Sequence, residues 1–161
     1  MSATTPAGPS VRAIAAGETR ALRHSVLRPS QPFDATAYAG DDDPATRHLG
    51  AFEGARLVGV ASLYRANRSG DDERGCQPRD GWRLRGMATA PEVRGQGVGR
   101  ALLAACVAHV ATKGGGLLWC NARMPAVGFY AAAGLEVVGD EFDVVGIGPH
   151  VVMLVRVPPS S

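Results

Sequence analysis

The chain of 161 residues is 45% apolar and 20% charged, which suits one globular domain and leaves little room for a second. Its 21 Gly and 11 Pro, about a fifth of the chain, promise many loops without reaching the share that marks disorder, and no apolar run approaches the ~18 residues of a membrane helix. A net charge of +2, carried by scattered arginines with Lys113 the sole lysine, argues against a nucleic-acid or membrane partner.

Residues 1–10 lack the basic and apolar regions of a secretory signal and read as a frayed tail, and residues 158–161 read as a short C-terminal tail. Val11 to Ala15 is a short apolar run that reads as a strand. Glu18 to Leu27 places Ala21, Leu22, Val26 and Leu27 at helical spacing before Pro29 blocks continuation. Residues 28–46, with Asp41-Asp42-Asp43-Pro44, read as a long solvated loop, a kind often functional. His48 to Phe52 and Leu57 to Tyr64 look like two strands joined by a tight turn, and residues 66–81 like a second loop. Trp82 to Thr89 is the next strand. Gly97 to Lys113 sets Val98, Leu102, Leu103, Cys106, Val107 and Val110 on one helix face, stopped by Gly114-Gly115-Gly116. Leu117 to Cys120 reads as a short buried strand, Pro125 to Ala133 as a short helix ended by Gly134, and Glu136 to Val145 and Val151 to Val157 as two closing strands. The series predicts an α+β or mixed α/β domain over residues 11–157 with a mostly antiparallel sheet.

Cys76, Cys106 and Cys120 are odd in number and show no metal-ligand spacing, so they predict a reducing, cytoplasmic setting with two buried thiols and one loop thiol, and no metal. The stretch with chemical content is Ala90-Pro91-Glu92-Val93-Arg94-Gly95-Gln96-Gly97-Val98-Gly99. Alternate glycines let backbone approach a ligand, and the amides opening the following helix lack intrahelical partners and sit at the positive end of its dipole. That is an anion cradle. Position 100 is Arg100 where a dinucleotide fingerprint needs Gly, and no G-K-[ST] follows, so the phosphates belong to another ligand.

Here the sequence resembles the GNAT family of N-acetyltransferases. Arg94, Gly97 and Gly99 meet its pyrophosphate pattern Q/R-x-x-G-x-G/A, and Met87 through Leu103 match its longest motif. Ala126, Phe129, Tyr130 and Gly134 meet A-x-x-F-Y-x-x-x-G-F, with Leu135 replacing the final Phe. Leu22-Arg23, Gln31-Pro32, Gly40-Asp41-Asp42, Arg47-His48 and Gly146 to His150 resemble the ElaA-like branch. The resemblance implies a splayed, mostly antiparallel sheet flanked by helices, acetyl-CoA as cosubstrate, and an amine of a small molecule or peptide as acceptor. It leaves the oligomeric state open between monomer and homodimer.

Residue by residue, the resemblance implies that Met87, Ala88 and Thr89 pair with the pantetheine arm as an added strand. The amides of Arg94, Gly95, Gln96, Gly97, Val98 and Gly99, with Arg100 beside them, would hold the pyrophosphate. Asn121, placed just after its strand, would donate to the same arm, and Tyr130 would reach the thioester sulfur. A bulge at Gly86 would turn a backbone N–H toward the thioester carbonyl. Tyr130, with an ordinary pKa of about 10, is the candidate acid; its rival reading is a core aromatic, with Phe129 beside it expected to fill the buried face of the helix. For the base that must free the amine lone pair, the candidates are Glu141, Asp143 and His150 on the last hairpin and the Asp41 to Asp43 cluster; Glu141 and Asp143 by default mark a strand's solvent face, and His150 a turn. His24, His48 and His109 read as structural. Two rival readings stand beside the enzyme: a non-catalytic acyl-CoA-binding sensor, and an RNA-binding protein, which would need a basic stripe the sequence lacks.

Overall fold

The computed structural model describes residues 8–68 and 80–160. Most of the expected N-terminal tail, the centre of the 66–81 loop and Cys76 lie outside these residues. Seven strands stand in the order β1-β2-β3-β4-β5-β7-β6, built from β1 Ser10–Ala13, β2 Arg47–Glu53, β3 Arg56–Arg65, β4 Gly81–Thr89, β5 Gly116–Arg123, β6 Glu136–Val144 and β7 Gly148–Val157. β1 against β2, β5 against β7 and β6 against β7 run antiparallel, and β4 against β5 runs parallel. The mixed α/β class and the mostly antiparallel sheet therefore hold. Contacts within the chain group into two compact units, residues Met1–Ser62 with Gly86–Ala105, and Leu63–Arg85 with Cys106–Ser161.

In the first unit β1 starts at Ser10, one residue inside the expected tail, because Ser10 pairs with Phe52 of β2. β2 and β3 are buried along almost their whole length, so Leu49, Ala51, Phe52, Val58, Val60 and Ala61 form a core covered on both faces. One cover is α2, Val98–Thr112, whose Val98 and Leu102 approach β3 so closely that a Cβ at Gly59 would lie 2.8 and 2.9 Å from them. Only glycine fits there. The expected helix over 18–27 is helical from Ala16 to Leu27 but in three windings: a 3₁₀ turn Ala16–Thr19, α1 Arg20–Leu22, and a π turn Arg23–Leu27. It ends where the Arg28 N–H donates to the carbonyls of Arg23 and His24, just ahead of Pro29. The loop after it is more ordered than a solvated loop, with a 3₁₀ turn at Phe33–Thr36 and buried Thr36 and Tyr38.

In the second unit β5 pairs with β7 from Gly116↔Val157 to Arg123↔His150. The short strand expected over Leu117 to Cys120 thus continues to Arg123, since alternate residues such as Ala122 stay buried. β7 likewise begins at Gly148, three residues earlier than expected. β6 pairs with β7 at both ends but shifts register between Val138 and Phe142, where Gly139 takes a left-handed φ of 76°. This bulge contains Asp140 and Glu141. The second-motif helix is a 3₁₀ turn Met124–Ala126 followed by α3 Val127–Ala132, and Gly134 at φ 96° ends it.

Candidate functional site

The glycine-rich turn folds as expected of a backbone cradle. Pro91–Val93 forms a 3₁₀ turn, Gly95 and Gly97 take left-handed φ values of 82° and 85°, and α2 begins at Val98. A Cβ at Gly95 or Gly97 would meet nothing within 4 Å, so this face is open. Not every amide of the expected set is available. Arg94 N–H donates to the Pro91 carbonyl at 3.3 Å and Gln96 N–H to the Val93 carbonyl at 3.2 Å, because each closes a turn. Among the described residues the amides of Gly95, Gly97, Val98, Gly99 and Arg100 reach no backbone acceptor, while Ala101 N–H already bonds the Gly97 carbonyl at 3.0 Å. Five donors at the head of a 15-residue helix make a place for an anion. The side chains of Arg94 and Arg100 are exposed beside it.

β4 leads into this turn. Its parallel ladder with β5 covers Gly81, Trp82 and Arg83. Three residues on, Gly86 takes a φ of 71°, a conformation that breaks a regular strand. The kink lies where the sequence placed the bulge, immediately before Met87. Ala88 is buried, Met87 and Thr89 are half-buried, and Ala90 N–H returns to β3 by donating to the Val58 carbonyl at 2.8 Å.

Asn121 lies within β5 opposite Val152, not after the strand, and is half-buried. Tyr130 is buried on α3, and it is Phe129 that faces outward at 36% exposure, reversing the expected order of the two rings. Their rings meet edge to face at 5.1 Å. The Tyr130 hydroxyl has no hydrogen-bond partner among the described residues. Burial, then the neighbouring Cys120 and Cys106 thiols, push its pKa well above the ordinary phenol range, against a smaller opposite pull from Arg123. Cys106 and Cys120 are buried free thiols raised by burial to about 12, hence protonated and poor nucleophiles.

Of the base candidates, Glu141 and Asp143 are exposed. His150 sits inside β7 rather than in a turn, at 6% exposure. Its Nδ1 lies 2.8 Å from the Gly148 carbonyl, which can only accept, so Nδ1 carries the proton and Nε2 presents its lone pair. The aspartate cluster divides. Asp43 accepts from the Ala45 N–H and Asp42 is exposed, but Asp41 is tied into the protein by Arg23.

That arrangement was missed. Arg23 is fully buried; it forks onto both Asp41 carboxylate oxygens at 2.8 and 3.1 Å, reaches the Thr36 carbonyl at 2.8 Å and Ser62 Oγ at 2.9 Å, and lies over the Tyr38 ring at 4.1 Å. His48 closes the ring through Nδ1 to Ser62 Oγ at 2.6 Å and Nε2 to the Asp41 carbonyl at 2.9 Å. The available signal was Thr19 and Arg23, four apart on the buried helix face. No cluster of three or more His, Cys, Asp or Glu able to hold a metal, and no helix long and apolar enough to cross a membrane, occurs among the described residues.

Comparison with known proteins agrees with these features. The family model for the acetyltransferase (GNAT) family matches residues 13–135. The uncharacterized N-acetyltransferase YitI of Bacillus subtilis is 35% identical over 143 residues, covering 89% of this chain and 93% of the relative. Two crystal structures share the fold: Escherichia coli ElaA, with TM-score 0.69 at 18% identity over 91% of this chain and 98% of that one, and an aminoglycoside 6'-N-acetyltransferase complexed with coenzyme A, with TM-score 0.71 at 14% identity over 94% and 99%. The cradle, the kinked strand and the breadth of these matches place the chain in the acetyltransferase (GNAT) family.

Proposed function

We propose that this protein moves the acetyl group of acetyl-CoA directly to a primary amine of a small molecule or peptide. The observation that carries the reading is the set of amides of Gly95, Gly97, Val98, Gly99 and Arg100 without backbone acceptors at the head of α2, with Gly95 and Gly97 both left-handed. A pyrophosphate is the anion such a set suits, and exposed Arg94 and Arg100 add charge beside it. Past Gly86, the backbone of Met87 to Thr89 takes up the pantetheine arm as an added strand, and Asn121 donates to it. The Met87 N–H acts as the oxyanion donor.

The chemistry is a ternary-complex transfer. The amine lone pair attacks the thioester carbon, the C–S bond breaks, one amine proton goes to a base, and the departing sulfur takes a proton. His150 Nε2 is the base this reading favours, since its lone pair is free while Glu141 lies exposed in the β6 bulge. Tyr130 faces the sulfur as a hydrogen-bond donor. A cytoplasmic, reducing setting suits the two free thiols.

Calorimetric titration with acetyl-CoA, followed by a panel of primary amines scored for free-thiol release, tests the reading. Expected are a Kd in the micromolar to submillimolar range usual for substrates, and thiol release matched by acetylated amine. Absence of acetyl-CoA binding overturns the cradle. Binding without turnover on any amine replaces the enzyme with a sensor module.

A further inference from the structure

The ring of polar groups around Arg23 lies wholly within the first unit, and its protons run in one direction. The Asp41 carbonyl can only accept, so His48 Nε2–H donates to it; in the neutral ring Nδ1 is then the acceptor of the Ser62 hydroxyl proton, while Ser62 Oγ accepts from Arg23 Nη2. Asp41 returns the charge to Arg23 through its carboxylate and also accepts from the Tyr38 N–H at 2.9 Å. A buried ion pair is a poor way to gain stability, because desolvation offsets the attraction, so its geometry points to another use.

The geometry lies against the β4 kink. A Cβ at Gly86 would fall 3.2 Å from Arg23 Nε and 3.3 Å from Tyr38 Cε2, so the guanidinium and the tyrosine ring fill the space a side chain at position 86 would need. Arg23 thus touches three things at once: the loop at Thr36, Tyr38 and Asp41, strand β3 at Ser62, and the left-handed Gly86.

We propose that Arg23 and Asp41 are positioning residues that lock the 33–41 loop onto the kink of β4, fixing the Met87 N–H and the acceptor side of the reaction without touching either substrate. The inference rests on the transferase reading, but its test does not depend on it alone. The charge-free double variant Arg23→Met with Asp41→Leu avoids stranding a buried charge. Thermal melting and acetyl-CoA affinity establish that it folds with its cradle intact; kcat and KM for the amine are then measured, together with amide hydrogen exchange. The expected result is acetyl-CoA affinity within a few-fold of the parent, kcat/KM for the amine at least about tenfold lower, and faster exchange over residues 84–89 and 33–41. Parental kcat/KM in the folded double variant overturns the proposal.

If the double variant does not fold, Gly86→Ala presses on the same clamp from the strand side with both charged residues kept. It should lower kcat/KM for the amine at least about tenfold, and parental kcat/KM overturns the proposal there too. Should the parent acetylate no amine, the transferase reading falls by itself and amide exchange decides the clamp: accelerated exchange at 84–89 in either variant supports it, and parental exchange removes it.

Discussion

The imidazole of His150 stacks on the ring of Phe142, centroids 5.9 Å apart and planes 29° apart, at the register pair that closes the β6 bulge. One ring nitrogen is held by the Gly148 carbonyl and the other has no partner among the described residues. A histidine fixed in plane and tautomer, with one lone pair left over, is ready to accept a proton.

His150→Ala should therefore lower kcat/KM for the amine by about 10² or more, the usual contribution of a positioned base, while acetyl-CoA affinity stays within a few-fold. Added imidazole should restore part of the lost rate. Glu141→Gln should cost less than about tenfold, because an exposed carboxylate is screened by water. If Glu141→Gln proves the more damaging variant, the base belongs to the bulge and His150 is packing.

The cradle offers a test free of folding artefacts. Gly97 has a φ of 85°, so any side chain there is strained, whereas Gly99 lies inside α2 and is absent from the left-handed glycines. A glutamate in the first turn of a helix is favoured by the dipole by about 0.3–1 kcal/mol. Gly99→Glu should thus hold or raise the melting temperature while abolishing measurable acetyl-CoA binding. Unchanged affinity in that variant would remove the pyrophosphate from the head of α2.

Stability should fall on the alkaline side, and the sign follows from burial. The thiols of Cys106 and Cys120 ionise near pH 9 when exposed but only near about 12 in the folded protein. The folded state keeps protons that the unfolded chain has released, so stability is full below about pH 9 and is lost as pH rises toward 12, by about 1.4 kcal/mol per pH unit for each thiol. Urea unfolding between pH 8 and 11 should show this slope, and Cys106→Ala, though less stable throughout, should have a shallower one. Parallel curves would mean that Cys106 is not protected from ionisation.

The motifs that lie along the chain were legible; the clamp that joins distant segments was not. Spacing revealed α2, because Val98, Leu102, Leu103, Cys106 and Val110 fall on one face and are all buried. Gly86 was the expected place of a bulge and Gly95 and Gly97 were expected to let backbone approach a ligand; all three take left-handed φ values. The errors arose where pairing across the sheet overrides local composition: Asn121 and His150 were placed outside strands, yet β5 and β7 hold them through their register with Val152 and Arg123. Phe129 and Tyr130 were misordered because adjacent aromatics on a six-residue helix carry no periodicity. Arg23, Asp41, His48 and Ser62 come from four separate segments, and a loop rich in Asp reads as solvated until the arginine that neutralises it is found.

Tyr130 is where the structure most changes the expected chemistry. The family resemblance made it the candidate acid for the departing thiolate, with an ordinary pKa of about 10. An ordinary phenol is already a weaker acid than a thiol, and burial with the two neighbouring thiols raises Tyr130 further, which keeps the hydroxyl protonated at every working pH and widens that gap. Its contribution is then a hydrogen bond to sulfur that strengthens as charge builds, with the thiolate's final proton drawn from the one released by the amine or from water. Tyr130→Phe keeps the ring and its edge-to-face contact with Phe129, so it should fold normally and bind acetyl-CoA as the parent does. Its kcat should fall by about 10²- to 10⁴-fold. In the parent, kcat should show no decline attributable to phenol ionisation up to about pH 10, since ionisation of the buried hydroxyl begins only above the ordinary value. A parent whose kcat drops well below that pH, together with a Tyr130→Phe variant of parental kcat, would return Tyr130 to the hydrophobic core as a packing residue.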